Sequence, residues 1–494
     1  MATAAVIGSG IGGIAAAIRL AVKGYAVTVF EANSTFGGKM TQFTLPGGYR
    51  FDAGPSLFTL PHLVEELFTL AGRNPLDYFR YQRLPVVTQY FWPDGTQLTA
   101  HANGEDFARE VEEKLHVPRE KMRHHLQKVA RLYHATADTF LHKSLHKART
   151  YLSPDVLKTL PALPELGLMT TMHQANAHAF SDPQLVQLLD RYATYNGSDP
   201  YQAPGTLNLI PHLEFNIGAF YPQGGIYAIA QSLVTLAEEL SVTFRYQEPV
   251  LEILLEKGRS KGVRTSQGIF PAQVVVSNMD VVPTYRKLLP TQPAPEKTLQ
   301  QPRSSSALIY YWGIQRSFPQ LDLHNIFFSQ DYRHEFDCIF RQGTVSDDPT
   351  VYVNITSKYS PEDAPDGHEN WFVMVNVPHN SGQNWEQLIQ ATRQHALRKV
   401  SKSLGTDIAP LIATERVWDP CGIEADTSSF AGALYGSSSN NRMAAFLRHP
   451  NFSSAIKGLY FCGGSVHPGG GIPLCLLSAK IVGDLVPSVS QPIA

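Results

Sequence analysis

The opening segment Thr3–Glu31 constrains the fold more than any other part of the chain. Thr3–Ile7 (TAAVI) is a short apolar run of the kind that forms a buried parallel strand. Gly8-Ser9-Gly10-Ile11-Gly12-Gly13 follows at once, then Ile14–Lys23 with helical character. After a break at Gly24-Tyr25 comes a second strand, Ala26–Phe30, closing on Glu31. Strand, G-x-G-x-x-G turn, helix, strand and acid stand in the order that a dinucleotide site requires. Gly8 permits the tight turn, Gly10 lets a pyrophosphate approach the backbone, and Gly13 lets helix and strand pack closely. The pyrophosphate then rests on the unpaired N–H groups of the helix N-terminus. Glu31 can accept both ribose hydroxyls of an adenosine, and its charge would repel a 2′-phosphate, which disfavours NADP. Gly8, Gly10, Gly12, Gly13 and Glu31 are therefore the first cofactor-binding candidates.

Composition narrows the class. The chain has 494 residues, 43 % of them apolar and 17 % charged, with 41 Lys and Arg against 43 Asp and Glu. A length of this order accommodates roughly two to four domains, and the apolar and charged shares exclude a disordered or fibrous protein. The charge balance argues against a nucleic-acid partner. Cys338, Cys421, Cys462 and Cys475 are too sparse for a disulfide scaffold and form no CxxC pair, so a reducing compartment is expected. The apolar N-terminus lacks the basic region of a signal peptide, and no uncharged apolar run of about 18 residues appears. The expectation is a cytoplasmic protein, soluble or attached to a membrane surface. His142 and His146 are spaced i, i+4 without a third ligand, and no metal site is expected.

The next elements distinguish NAD from FAD. Gly37-Gly38-Lys39-Met40-Thr41 resembles the GG(R/K)xx(S/T) element of flavoproteins with two dinucleotide-binding motifs, and Tyr49–Ser56 (YRFDAGPS) resembles their following strand and turn. The resemblance implies FAD, and adds Gly37, Gly38, Lys39, Gly54, Pro55 and Ser56 to the binding candidates.

The chain then returns to this first domain twice. Tyr221–Asp280 opens on a PQGG turn and a helix near Ile226–Leu240, with strands at Val242–Tyr246 and Val250–Leu255, and ends in VVVSNMD. Val250 and Asn278 are candidates there. Lys457–Pro487 begins GLYFCGGSVHPGGGIP. Its loop delivers a helix starting near Ile472-Pro473, where proline is favourable because its missing N–H would be unpaired anyway. Reduced flavin is anionic at its N1/C2=O edge, so a helix N-terminus beside it stabilises the state made by accepting a hydride. Gly464, Gly471, Ile472 and Pro473 complete the list. Between the returns lie a mainly helical block, about 60–220, and a block with strand-like runs such as Ser306–Trp312 and Trp371–Val377, about 281–415.

Taken in order, GSGIGG, ExxxxxGGK, FDAGPS, Arg191–Glu214 (RYATYNGSDPYQAPGTLNLIPHLE), PQGG, VVVSNMD and GGSVHPGGGIP resemble the bacterial phytoene desaturase family over the whole chain. The resemblance implies an α/β, glutathione-reductase-like FAD-binding domain of Rossmann type, discontinuous over 1–60, 221–280 and 416–494. An inserted α+β substrate domain would span 61–220 and 281–415. It implies FAD as the redox cofactor, an acyclic carotenoid drawn from a membrane as substrate, and oxygen or a quinone as electron acceptor. One departure is VHPGGGIPLC, where familiar members read THPGAGIPGV. It looks more like the late-pathway branch that includes 1-hydroxycarotenoid 3,4-desaturases. Relatives of the same family, a redox-neutral carotenoid isomerase and a retinoid saturase, are the alternative. Rab escort proteins and GDP-dissociation inhibitors share the fold without redox chemistry and need no VHPGGGIP loop.

Loss of a hydride to flavin N5 would leave an allylic cation whose neighbouring carbon sheds a proton to a weak base, so neither nucleophile nor metal is needed. Lys39, Arg191, Asp199, Glu214 and His467 are catalytic candidates, each with an ordinary structural role as the alternative. Phe140–Met172 interleaves Lys143, Lys147, Arg149 and Lys158 with Leu, Phe and Tyr against only Asp155 and Glu165. That pattern suits helices lying on anionic lipid.

Overall fold

The structure is a computed structural model. It describes residues 2–152, 154–441 and 448–489, without the side chains of 155, 157, 158, 160 and 163. Two sheets organise it. The first has five parallel strands in the order Leu459–Phe461, Val274–Ser277, Thr3–Ile7, Ala26–Phe30, Thr243–Arg245. Three distant stretches of chain thus close one sheet, with Thr3–Ile7 at its centre.

Both faces of a parallel sheet must be covered, and the strand side chains alternate accordingly. Ala4, Val6, Val29 and Val276 face the helices Ile11–Val22, Tyr227–Glu239 and Ile472–Leu485. The helix His62–Leu70 joins the same core through Leu63, Val64, Leu67 and Phe68, across the boundary expected at residue 60. Ala5, Ile7, Phe30, Val275 and Phe461 face the other way, onto Ile253 and Val263 of an antiparallel meander and onto Val282 and Tyr285.

The second sheet has seven strands in the order Ile412–Trp418, Ser306–Ile314, Glu369–Val377, Val351–Ile355, His324–Phe327, Val86–Phe91, Gln97–His101. Its pairings are antiparallel except that of His324–Phe327 with Val86–Phe91. Leu308, Tyr310, Trp312, Val353, Trp371 and Val373 pack against the helix Trp385–Leu404. The opposite face carries Ile309, Tyr311 and Phe372 onto Tyr49 and Phe51, and the Tyr311 hydroxyl donates to the Ala53 carbonyl. This face is therefore turned towards the first domain. Ile412–Trp418 pairs with Ser306–Ile314 as far as Trp418, across the boundary expected at 415/416. The long helices Gly104–Leu115 and Arg119–Phe140 build most of the helical block.

Residues 140–172 form short pieces rather than long helices. Arg119–Phe140 ends there, and Ala148–Tyr151, Pro154–Thr159 and the 3-10 turn Leu160–Leu166 follow. Pro154, Pro161 and Pro164 each remove a backbone donor and interrupt the run. The charges expected at Asp155 and Lys158 lie outside the described side chains.

Candidate functional site

The glycine turn, Asn278 and the last loop meet at one place. A Cβ on Gly13 would lie 2.1 Å from the Gly8 carbonyl oxygen, so helix and strand can approach only without one. On Gly10 it would meet Asn278 Nδ2 at 2.8 Å, and on Gly12 it would meet Asn278 Oδ1 at 2.7 Å and Gly463 N at 3.1 Å. Gly37 donates from its N–H to the Ser9 carbonyl at 2.9 Å, and a Cβ on Gly38 would lie 3.3 Å from the Gly10 Cα. Glu31 is buried, and its carboxylate accepts the Ser9 N–H at 2.8 Å, the Ser9 hydroxyl at 2.7 Å and the Asn33 N–H at 2.9 Å.

Two helix N-termini open on this region without a side-chain cap or an acid in the first turn. They are Ile11–Val22 after Gly10 and Ile472–Leu485 after Gly471. Among the described residues, no atom outside its own chain neighbours lies within 4 Å of a Cβ placed on Gly471, whose φ is +104°. Uncapped N–H groups are anion sites. A cradle closed to side chains at one end and a second bare N-terminus at the other suit the pyrophosphate and the flavin of FAD.

Charge gathers near the second N-terminus. Lys39 Nζ donates to the Leu434 carbonyl at 3.2 Å; burial pulls its pKa down, against the opposing pull of Cys475 and Asp280. Burial raises the Asp280 carboxyl, although the Val282 N–H at 2.9 Å, Arg303 and Lys39 favour its charge. Arg448 is buried, donates to the Tyr435 carbonyl at 2.9 Å and the Ser437 carbonyl at 2.8 Å, and is pushed down to about 10 by burial and by Arg303.

The other expected cofactor residues surround the cradle at varying distance. A Cβ on Gly54 would lie 2.3 Å from the Lys39 carbonyl oxygen, and one on Gly464 would lie 3.2 Å from the Gly470 Cα. Pro55 and Ser56 are half-buried, as is Pro473, while Ile472 is buried. Val250 stands apart at the start of the meander. It is two residues beyond Glu248, whose N–H donates to the Glu31 carbonyl at 2.9 Å.

The remaining candidates divide into braces and one buried polar cluster. His467 Nε2 lies 3.0 Å from the Lys143 carbonyl, its own carbonyl accepts Asn451 Nδ2 at 2.7 Å, and burial pushes its imidazole down to about 4. It therefore ties the last loop to the segment after residue 140. Asp199 accepts the Tyr201 N–H at 2.8 Å and the Gln202 amide at 2.6 Å, which closes a turn. Arg191 and Glu214 do come together, 3.4 Å apart and fully enclosed. Arg191 donates to the Tyr90 and Tyr195 hydroxyls at 3.0 and 3.3 Å, and its guanidinium lies 4.4 Å from the Tyr192 ring centre. Tyr192 and Tyr195 both donate to Glu214.

Sequence reasoning missed Asn451, Tyr90, His324 and Tyr352. His324 Nδ1 lies 2.7 Å from the Tyr352 hydroxyl, which lies 2.8 Å from Ser56 Oγ. This links the second sheet to the FDAGPS turn. Tyr352 and Met374 pair across neighbouring strands, and each is half-buried between buried neighbours in its own strand. With half-buried Ser56, Leu57, Tyr195 and Leu434, they are partly accessible side chains where the second sheet meets the FDAGPS turn.

The α/β nucleotide domain, the glycine cradle beside Glu31 and the bare N-terminus of Ile472–Leu485 are together the features of a flavoprotein oxidoreductase. Residues 11–486 match the family described as flavin containing amine oxidoreductase, and the chain belongs to that family and binds FAD. It is 53 % identical to a 1-hydroxycarotenoid 3,4-desaturase from Flavobacterium sp. (strain P99-3), over 99 % of this chain and 100 % of the relative. It is 35 % identical to a 4,4'-diapolycopene oxygenase from Methylomonas sp, over 97 % of each. An oxidoreductase from Methanosarcina mazei shares the fold, with a TM-score of 0.65 at 16 % identity, over 98 % of this chain and 100 % of that one.

Proposed function

We propose that this chain is an FAD-dependent carotenoid desaturase that introduces C=C bonds into an acyclic, 1-hydroxylated carotenoid. The observation that carries the reading is 53 % identity over the full length to a desaturase of that name, in a chain that retains an uncapped cradle at both ends of the cofactor site.

When bound, FAD supplies a two-electron hydride acceptor. Everything else falls to the chain. Gly10, Gly12, Gly13 and Asn278 would hold the pyrophosphate end and Glu31 the ribose. The N-terminus of Ile472–Leu485, with Lys39 and Arg448, would face the edge where negative charge develops. The substrate offers allylic C–H bonds and little polar handle, so positioning and water exclusion dominate. Tyr352, Met374, Leu57 and Leu434 supply a largely apolar floor for it. Loss of one C–H as hydride and of its neighbour as a proton to a weak base would yield one C=C, with oxygen or a quinone as the final acceptor of the electron pair.

The substrate's insolubility argues for a cytoplasmic protein held peripherally on a membrane. Leu152 is 86 % and Met169 74 % exposed in the stretch that carries Lys143, Lys147 and Arg149. A cleft of about 290 Å³ there is lined by His142, Lys143 and Arg149 against Asp484. Basic groups beside exposed apolar ones suit an anionic lipid surface.

Expression in cells that accumulate acyclic carotenoids, one strain per precursor, tests the reaction. A product lighter by two hydrogens or a multiple supports it and names the substrate by strain. A product of unchanged mass means isomerisation, and one heavier by oxygen means the oxygenase activity by which the 35 % relative is named.

A further inference from the structure

The cleft beside the exposed Leu152 has walls of opposite charge. One wall is the loop after the helix Arg119–Phe140, with Lys143 and Arg149; the other is the end of the helix Ile472–Leu485, with Ile481, Asp484 and Leu485. His142 also lines it, but burial, seconded by Lys480, pulls its imidazole down. At neutral pH the positive wall therefore rests on Lys143 and Arg149. The loop that carries them is fastened at several points. Thr150 Oγ1 donates to the Ser144 carbonyl at 2.6 Å, the Tyr151 hydroxyl donates to the Leu145 carbonyl at 2.7 Å, and Lys147 Nζ stands 3.8 Å from the centre of the Phe452 ring. His467 Nε2, 3.0 Å from the Lys143 carbonyl, ties the same loop to the last one.

The two opposite charges face one cavity without meeting. Among the described residues, neither the Arg149 guanidinium nor the Asp484 carboxylate forms an ion pair or a hydrogen bond. Asp484 also stands in the last turn of its helix, where the carbonyls carry partial negative charge and the helix has no basic residue of its own. Lys23 Nζ reaches the Gly483 and Val486 carbonyls there and leaves the Asp484 carboxylate unbonded. An acid at that end favours a cation, and a guanidinium on the facing wall favours an anion. The cleft of about 290 Å³ would hold several waters at about 30 Å³ each, which is room for a phosphate with a small ammonium-bearing arm. Tyr151 and Leu152 follow the cleft residue Thr150 and are 48 % and 86 % exposed. An acyl chain leaving the cleft would meet them at its rim.

We propose that this cleft is a headgroup site for a zwitterionic phospholipid whose ammonium carries hydrogens: Lys143 and Arg149 take the phosphodiester, and Asp484 takes the ammonium. The assignment rests on the peripheral membrane reading above, and deepens it from a charged surface to one lipid chemistry. A trimethylated ammonium has no N–H to offer the carboxylate and is the poorer ligand.

The test uses the full-length, FAD-loaded protein and co-sedimentation with vesicles of phosphatidylcholine alone and of phosphatidylcholine partly replaced by phosphatidylethanolamine. Both are uncharged overall, so long-range attraction does not separate them. Wild type is expected to prefer the ethanolamine vesicles by about threefold in apparent affinity, the scale of an exposed ion pair. Asp484→Asn should bring that preference to within about 1.5-fold of unity, yet bind anionic phosphatidylglycerol vesicles as well as wild type or better, because a negative charge is gone. Arg149→Gln should weaken binding to all three. Both residues are exposed, so flavin content and melting temperature should stay at wild-type values. Soluble glycerophosphoethanolamine should compete for the site better than inorganic phosphate at the same concentration. Equal binding of wild type to the two uncharged vesicles overturns the assignment and leaves the membrane reading standing. An ethanolamine preference that survives Asp484→Asn also overturns it, since looser lipid packing then accounts for the preference. Inorganic phosphate competing equally well overturns it in favour of a plain phosphate site. Binding to no vesicle overturns the membrane reading and this assignment with it.

Discussion

The Glu31 carboxylate holds Ser9 by two bonds from one oxygen, 2.8 Å to the N–H and 2.7 Å to the hydroxyl. The acid at the end of the second strand thus also shapes the glycine turn after the first, so ribose recognition and turn geometry share one side chain. Glu31→Ala should remove the ribose acceptor and leave two buried donors unpaired. Loss of a buried bond to a charged group is of order 1–3 kcal/mol, which corresponds to about tenfold to hundredfold weaker FAD binding. Titration of apoprotein with FAD measures it, and the pattern of bonds oxidised by the reloaded enzyme should not change.

Gly10→Val attacks the same site sterically. The first added atom already falls 2.8 Å from Asn278 Nδ2, and the two methyls follow into the path of the pyrophosphate. Protein purified with this substitution should fold but carry less than about a tenth of the wild-type flavin, because close approach of phosphate to backbone is what the glycine permits. The ratio of flavin absorbance to protein reads the outcome. Full flavin content would remove Gly10 from the cofactor site.

Arg191→Met separates stability from recognition in the buried cluster. It leaves Glu214 enclosed among Tyr192 and Tyr195 with no cation, and an unpaired buried charge costs about 3–5 kcal/mol. The melting temperature should drop sharply, and Arg191→Met with Glu214→Gln should recover part of the loss. A single variant as stable as wild type would show that the pair is not load-sharing in the fold.

The parts legible in the sequence were those whose geometry is local. Thr3–Glu31 is read correctly as strand, turn, helix and strand because every spacing in it is set within one βαβ unit. Ser306–Trp312 and Trp371–Val377 are also visible as apolar runs, but nothing in either run tells that Trp312 stands opposite Trp371. The Arg191–Glu214 segment stood out, yet the partner that completes it, Tyr90, lies 101 positions away on a strand inside a block read as helical. His324 gave no signal at all, since its contacts with Tyr352 and Asn354 form only across a strand pairing. In the 140–172 segment the charge pattern was plain, and the prolines that break it into short turns carried the structural information instead.

Vesicle binding tests the membrane proposal apart from turnover. Leu152→Glu with Met169→Glu places charge at two sites that are 86 % and 74 % exposed, so the fold should be unaffected. If these residues dip into lipid, co-sedimentation with anionic vesicles should fall severalfold, and raised salt should weaken the remainder. Unchanged sedimentation of the double variant would move the docking face elsewhere.

Acid sensitivity follows from buried imidazoles, His324, His449 and His467 among them. His324 is pushed down to about 3, and His449 and His467 to about 4, in each case chiefly by burial, while an unfolded histidine titrates near 6.5. Above about pH 6.5 all three are neutral in both states, and their contribution to stability is fully present. As the pH falls below that value the unfolded chain takes up protons that the folded one refuses, so stability declines. Each group contributes a slope of up to about 1.4 kcal/mol per pH unit until its folded value is reached. His449→Gln should remove close to one proton from this uptake, since among the described residues the His449 ring is bonded to the Tyr285 hydroxyl at 3.2 Å and the Pro450 carbonyl at 2.7 Å, with no charged partner. Thermal unfolding of wild type and variant, followed from neutral pH to about pH 5, should give curves that converge as acid is added. Parallel curves would mean that His449 is not held neutral by the fold.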